Sequence, residues 1–123
     1  ERTLNHIQTN EISGASLSAN VITLPAGNYF LIGNSFYTNS VYCSTRIINK
    51  STSNSLVLMG TNLYTEGYAS GTSYINGRFT LSGSHNLELQ YYCTTSYSNT
   101  GFGFHQPSTG NVNKFADIMI WKL

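Results

Sequence analysis

Short apolar runs separated by turns rich in Asn, Ser and Gly recur along the chain. Residues 21–24 (VITL) form one such run, and Pro25 and Gly27 follow in a turn, because Pro presets φ and Gly accepts a positive φ. No long window has the i, i+3, i+4, i+7 apolar spacing of an amphipathic helix. The pattern therefore predicts an all-β chain. Strands are expected at residues 21–24, 29–38, 42–49, 56–61, 74–81, 87–95, 101–105 and 114–123, with one or two more before residue 21.

The alternation of side chains indicates which face of each predicted strand is buried. In the strand at 87–95, the apolar face carries Leu87, Leu89, Tyr91 and Cys93. Short strands at even spacing are typical of antiparallel sandwiches and jelly rolls. The chain is therefore expected to form an antiparallel sandwich or jelly roll of about eight to ten strands.

The last predicted strand is apolar on both faces. Its two faces carry Ala116, Ile118 and Ile120 on one side and Phe115, Met119 and Trp121 on the other. A two-sheet sandwich buries one face of each strand, so the second apolar face needs another cover. A further copy of the chain is the simplest cover, and a loop or an upstream segment is the alternative. We therefore expect self-association.

The composition is that of a folded chain with an unusually uncharged polar surface. Charged residues make up 9% of the 123 residues, against a usual value of about 25%, and the net charge is +1. Asn, Ser and Thr number 14, 16 and 14, while 40% apolar residues argue against disorder. The length predicts one domain. Nucleic acid is not expected as a partner, because the cations are scattered singly, and no apolar stretch is long enough for membrane insertion.

Several runs resemble the C-terminal domains of bacteriophage tail fibres in order and spacing over roughly residues 20–123. They are residues 24–29 (LPAGNY), 46–49 (RIIN), 58–61 (LMGT), 77–81 (GRFTL), 87–90 (LELQ), 101–103 (GFG) and 118–123 (IMIWKL). The series that ends in the terminal IWKL is the most specific part of the resemblance.

This resemblance implies a jelly roll of the tumour-necrosis-factor and complement-head type. It also implies a homotrimer at the distal end of a fibre, where the head contacts the host surface. Residues 1–20 would connect to the fibre shaft and include the first strand, and residues 21–123 would form the receptor-binding head. Because the chain begins at Glu1, we expect a processed piece of a longer protein. The expected location is the tail fibre tip of the virion, with assembly in the host cytoplasm.

Aromatic residues in the predicted loops are the candidates for receptor binding. An aromatic ring presents a flat apolar face to the C–H side of a sugar, while nearby Asn, Ser and Thr pair with hydroxyls. The candidates are Tyr64, Tyr68, Tyr74, Tyr97, Phe102 and His105. The alternative is that some of these rings close the ends of the sandwich or the seam between subunits. Strand parity leaves open whether the site lies at the tip or in a groove between subunits.

A second set of residues is expected at the trimer interface. In the implied jelly-roll topology, the strands that carry Glu88 and Asp117 flank the strand that carries Arg46. One Arg between two carboxylates indicates charge compensation at a subunit contact rather than an acid/base pair. The interface candidates are Tyr42, Arg46, Glu88, Tyr92, Phe115, Asp117 and Trp121.

No catalytic, metal or cofactor site is expected. Nucleophilic catalysis needs a His positioned against a Ser or Cys, and no Gly-x-Ser-x-Gly elbow is present. His6, His85 and His105 show no metal-ligand spacing, although a trimer axis would bring three copies of one of them together.

Cys43 and Cys93 both fall on the predicted core-facing side of their strands. In the expected topology these strands are antiparallel neighbours, which makes a bridge geometrically possible. The default expectation is two buried reduced cysteines, because phage structural proteins assemble in a reducing cytosol.

These observations favour a non-enzymatic receptor-binding head that recognises a bacterial surface glycan or an outer-membrane protein. The structural alternative is a trimerisation head of a fibre or of a spore-surface protein. The enzymatic alternative is a glycan depolymerase, which would need two carboxylates flanking the scissile bond.

Overall fold

The computed structural model describes residue 4 and residues 6–38, 41–65, 69–95 and 116–123. Within these residues the chain forms nine strands and one short 3-10 helix, Lys50–Thr52. The strands are β1 (Ser16–Ser18), β2 (Val21–Leu24), β3 (Gly27–Thr38), β4 (Val41–Asn49), β5 (Ser55–Met59), β6 (Leu63–Thr65), β7 (Ser70–Leu81), β8 (His85–Cys93) and β9 (Ala116–Lys122).

The strands form two antiparallel sheets, consistent with a β sandwich. The larger sheet has the order β1-β2-β8-β4-β5, with β6 also paired to β4, and the smaller sheet has the order β7-β3-β9. The all-β, antiparallel architecture predicted from the alternation is therefore confirmed. In the described part of the chain one strand, β1, precedes residue 21, as expected.

Most predicted strands are present, with shifted ends. The strand expected at 56–61 ends at Met59, and β6 follows it as an additional short strand. The strand expected at 74–81 begins earlier, at Ser70, because it pairs with β3 over its full length. The strand expected at 101–105 lies outside the described residues.

The core lies between the two sheets. Leu31 and Ile75 from the smaller sheet and Ile47 and Leu89 from the larger sheet are fully buried there. Burying each such side chain contributes about 1.5–3 kcal/mol relative to leaving it exposed. Tyr29 is also buried, and its hydroxyl donates to the Pro25 carbonyl oxygen at 2.7 Å. The polar end of this ring is thereby satisfied.

A hydrogen bond also joins the two sheets inside the core. The Tyr37 hydroxyl on β3 lies 2.8 Å from the Thr45 Oγ1 on β4, and both residues are buried. A buried hydroxyl without a partner costs about 1–3 kcal/mol, so this contact favours one alignment of the sheets.

The predicted position of the last strand relative to Arg46 is wrong. Asp117 lies on β9, which pairs with β3 in the smaller sheet, whereas Arg46 lies on β4 in the larger sheet. The physical reason is packing: Ile118 opposes Gly33, and a Cβ at Gly33 would come within 3.3 Å of the Ile118 side chain. The missing side chain lets β9 lie against β3 with Ile118 and Ile120 on the core.

Gly60 lies between β5 and β6, where the backbone forms hydrogen bonds to both sheets. Its N–H donates to the Thr45 carbonyl oxygen of the larger sheet at 2.7 Å. The next residue, Thr61, donates its N–H to the Tyr74 carbonyl oxygen of the smaller sheet at 2.8 Å. A Cβ at Gly60 would lie 2.9 Å from the Thr45 carbonyl oxygen and 3.0 Å from the Tyr74 carbonyl oxygen, so this close approach to both sheets requires glycine.

Gly60→Ala is expected to lower the free energy of unfolding by about 1–3 kcal/mol, because both clashing atoms belong to the backbone. Gly83→Ala is the matched control, since a Cβ there meets its nearest atom at an ordinary 3.6 Å. Urea unfolding of both variants measures the effect. Equal midpoints for the two variants would contradict the close approach at Gly60.

Candidate functional site

The outer face of the larger sheet carries a group of exposed tyrosines. Directly opposed residues of an antiparallel pair share a face, and Tyr42 opposes Tyr64 while Ser44 opposes Tyr92. Cys43 and Thr45 are buried, so the alternating neighbours Tyr42, Ser44 and Arg46 face outward. The exposed fractions of Tyr42, Tyr64 and Tyr92 are 62%, 55% and 66%. We call the surface formed by Tyr42, Tyr64, Tyr92, Arg46 and Gln90 the tyrosine face.

Two rings of the tyrosine face contact each other. The centroids of Tyr42 and Tyr64 are 5.1 Å apart and their planes are tilted by 55°, within the range of favourable aromatic pairs. Tyr64 was expected in a loop, but it lies on β6. The structure shows Leu63, Tyr64 and Thr65 as half-buried, exposed and buried, but three residues are too few for such an alternation to be recognised in the sequence.

A chain of polar contacts runs beside the tyrosines. Arg46 Nε donates to Gln90 Oε1 at 3.0 Å, and Gln90 Nε2 donates to Glu88 Oε1 at 2.7 Å. Lys50 Nζ donates to the other carboxylate oxygen of Glu88 at 2.8 Å, forming an ion pair. The expected compensation of the Arg46 charge by Glu88 and Asp117 is therefore not found. Glu88 forms its ion pair with Lys50, and Asp117 lies in the other sheet. Within the described part of the chain, no carboxylate contacts the Arg46 guanidinium.

Glu88 is buried although it points to the outer face. It lies between Val21 on β2 and Ile48 on β4, and it is 4% exposed. Burial alone would raise the pKa of Glu88, but the hydrogen bonds from Lys50 and Gln90 and the charge of Lys50 outweigh it. The pKa is consequently held below its ordinary value. Glu88 thus remains an ionised structural group.

The ion pair between Glu88 and Lys50 is expected to make the stability of the fold depend on pH in acid. A carboxylate with a lowered folded-state pKa stabilises the fold above its ordinary pKa of 4.5, and that stabilisation is lost as the pH falls through the folded-state value. Glu88→Gln is expected to lower the free energy of unfolding by about 1–3 kcal/mol at pH 7. The free energy of unfolding of this variant should also fall less steeply as the pH is lowered. The measurement is urea unfolding at a series of pH values.

Glu11→Gln is the control, because Glu11 is exposed. We expect it to change the free energy of unfolding by less than about 0.5 kcal/mol. An acid dependence in Glu88→Gln equal to that of the unmodified chain would contradict the role given to the pair.

The outer face of the smaller sheet carries a group of apolar side chains beside polar ones, such as Arg78 opposite Phe30 and Asn76 opposite Ile32. Phe30 opposes Trp121 with ring centroids 5.8 Å apart, and Ile32 opposes Met119. Met119 and Trp121 are 50% and 45% exposed, whereas Ile118 on the other side of β9 packs against the core. The last strand is thus apolar on two faces, one of which is exposed in the single chain. We call the surface formed by Phe30, Ile32, Phe36, Met119 and Trp121 the apolar face.

The predicted site residues are divided between these two outer faces. Of the interface candidates, Tyr42, Arg46 and Tyr92 lie on the tyrosine face, and Glu88 lies beside them. Asp117 and Trp121 lie on the outer side of β9, in the smaller sheet. Of the receptor candidates, Tyr64 lies on the tyrosine face, whereas Tyr74 is opposite Asn34 on the outer side of the smaller sheet. Five candidates lie outside the described residues: Tyr68, Tyr97, Phe102, His105 and Phe115.

Metal-ligating residues do not cluster in the described ranges. No group of three or more His, Cys, Asp and Glu that could hold a metal ion is present there.

His85 Nδ1 lies 2.6 Å from the Asn49 amide nitrogen, a contact that joins β8 to the end of β4. A cleft of about 430 Å³ lies beside β1, and its described lining includes Leu4, Ile7 and Leu17. Over the same residues, no helix has the length and apolar character needed to cross a membrane.

Neither a protein-family model nor a curated protein sequence matches the chain.

Proposed function

We propose that the chain is a non-enzymatic receptor-binding head at the tip of a bacteriophage tail fibre. It would recognise a bacterial surface glycan or an outer-membrane protein. The proposal rests on the sequence resemblance to tail-fibre C-terminal domains and on one structural observation. Three exposed tyrosines, an arginine and a glutamine share the outer face of a single sheet.

The chemistry of the tyrosine face suits a saccharide. Tyrosine rings offer flat apolar surfaces to the C–H faces of sugars and lose little conformational entropy on binding. Strands hold the three rings more firmly than loops would, which lowers the entropy cost of ordering them. Gln90 and Arg46 supply amide and guanidinium groups for hydroxyls, and the charge of Arg46 favours a ligand that carries a carboxylate or phosphate.

The finer architecture of the proposal is a jelly roll assembled as a homotrimer. The apolar face supports self-association, because Met119 and Trp121 expose apolar surface that another copy of the chain would bury. Several copies per fibre would raise a weak single-site affinity by about 10² to 10⁴ when they bind together.

Glu88 does not suit the enzymatic alternative. A general acid in glycan hydrolysis needs a raised pKa, and the pKa of Glu88 is lowered by its contacts with Lys50 and Gln90. Asp117, the carboxylate expected to accompany it, lies in the other sheet. Both observations support a binding role rather than a hydrolytic one.

Tyr64→Ala tests the receptor-binding proposal. We expect it to weaken binding to lipopolysaccharide or capsule fractions of the host by about tenfold, because a central aromatic contact contributes about 1–2 kcal/mol. Tyr74→Ala is the comparison, since Tyr74 is also a receptor candidate and is similarly exposed but lies on the other sheet. Binding is measured by titration of the isolated head. Equal losses in both variants, or a loss in neither, would contradict a site on the tyrosine face.

The same approach separates the two roles considered for Tyr42 and Tyr92. If Tyr92 lies at the subunit interface, Tyr92→Ala is expected to lower the mass of the oligomer in solution. Receptor contact predicts an unchanged mass and weaker binding. Light scattering and the binding titration, made on one sample, distinguish these outcomes.

A structural trimerisation head is the second candidate, and the apolar face favours it. Met119→Lys places a charge in the surface that sister chains would cover, so we expect the oligomer to dissociate. Gln8→Lys adds the same charge at an exposed position outside the sheets and should leave the mass unchanged. Analytical ultracentrifugation measures both. An oligomer that survives Met119→Lys would exclude the apolar face as its interface.

A further inference from the structure

Cys43 on β4 and Cys93 on β8 oppose each other across neighbouring strands. Both side chains point to the inner side of the larger sheet, where Cys43 is buried and Cys93 is partly exposed. The two sulfur atoms are 2.8 Å apart. Their separation in sequence is 50 residues, so the contact joins distant parts of the chain.

The backbone around the pair has the geometry that a cross-strand bridge requires. The Thr94 N–H donates to the Tyr42 carbonyl oxygen at 3.0 Å, which makes Tyr42 and Thr94 a hydrogen-bonded pair. The adjacent pair, Cys43 and Cys93, therefore occupies a non-hydrogen-bonded site, where opposed Cα atoms are about 4.5 Å apart. Disulfides span Cα separations of about 4.4–6.8 Å, so the strands need not move to accept one.

We propose that Cys43 and Cys93 are the site of an intrachain disulfide, formed in the folded protein when it meets a disulfide oxidant such as glutathione disulfide. Cys93 reacts first, because it is the more exposed of the two. Its thiolate attacks one sulfur of the oxidant, the oxidant's S–S bond breaks, and one glutathione leaves as a thiolate that takes up a proton.

The second step closes the bridge. The Cys43 thiol loses its proton, and its thiolate attacks the Cys93 sulfur of the mixed disulfide. The second glutathione leaves and is protonated. In total, two protein thiols lose two electrons and two protons, and one glutathione disulfide becomes two glutathione molecules.

The bond would close a long loop and hold β4 in register with β8. Closing a loop of this length restricts the unfolded chain, so the oxidised protein should be more stable than the reduced one. Tyr42 and Tyr92 are the direct neighbours of the two cysteines, and the bond would hold their strands together beneath the tyrosine face. This bond requires nothing of the receptor, so its test is independent of the binding experiments.

The test exposes the complete folded chain to glutathione disulfide and then to an alkylating maleimide. We expect the mass of two hydrogen atoms to be lost, without maleimide labelling. Trypsin cleaves after Arg46 and Arg78, so the cysteines fall in different peptides that should remain linked until dithiothreitol separates them. The melting temperature should rise by about 10 °C on oxidation and fall again on reduction.

Cys93→Ala is the control and should show neither the linked peptides nor the rise in melting temperature. Labelling of both thiols after oxidation would overturn the proposal. So would a glutathione adduct that persists at Cys93, or a cross-link between two chains. A disulfide with no rise in melting temperature would overturn the stabilising role of the bond.

Discussion

The register of β4 against β8 is the constraint on which both faces of the larger sheet depend. Side chains alternate along a strand, so a shift of one residue would move every buried group to solvent and every exposed group into the core. The observed register places Ile47 opposite Leu89 in the core and Arg46 opposite Gln90 outside. Core packing and the surface chemistry of this sheet are therefore set by the same pairing.

The two outer faces of the sandwich differ in chemistry, and this difference underlies the proposed division of functions. The tyrosine face combines aromatic rings with polar groups, which suits a hydroxyl-rich ligand. The apolar face combines Phe30, Ile32 and Trp121, whose exposure to water is unfavourable and would be relieved by another subunit. Glu88 and Lys50 neutralise each other at the edge of the tyrosine face, which leaves Arg46 as its charged group.

Predictions from the sequence were mostly accurate where they depended on alternation within one strand, although Tyr91, expected on the buried face with Leu87 and Leu89, is 37% exposed. The core-facing positions of Leu87, Leu89 and Cys43, and the two apolar faces of the last strand, followed from local pattern. Predictions that depended on strand neighbours were less accurate. Asp117 was expected beside Arg46, but β9 pairs with β3, and Tyr64 was expected in a loop, but it pairs with Tyr42.

By itself, the sequence determined the strand content, the inward or outward parity of most side chains, and the unusual final strand. These properties follow from backbone geometry that repeats every two residues and therefore acts locally. The tertiary structure alone decided which strands are neighbours, and hence that Tyr42, Tyr64 and Tyr92 share one surface while Tyr74 and Trp121 lie in the other sheet. An apolar strand face can pack on several partners with similar local energies, so its partner is selected by the packing of the whole sandwich.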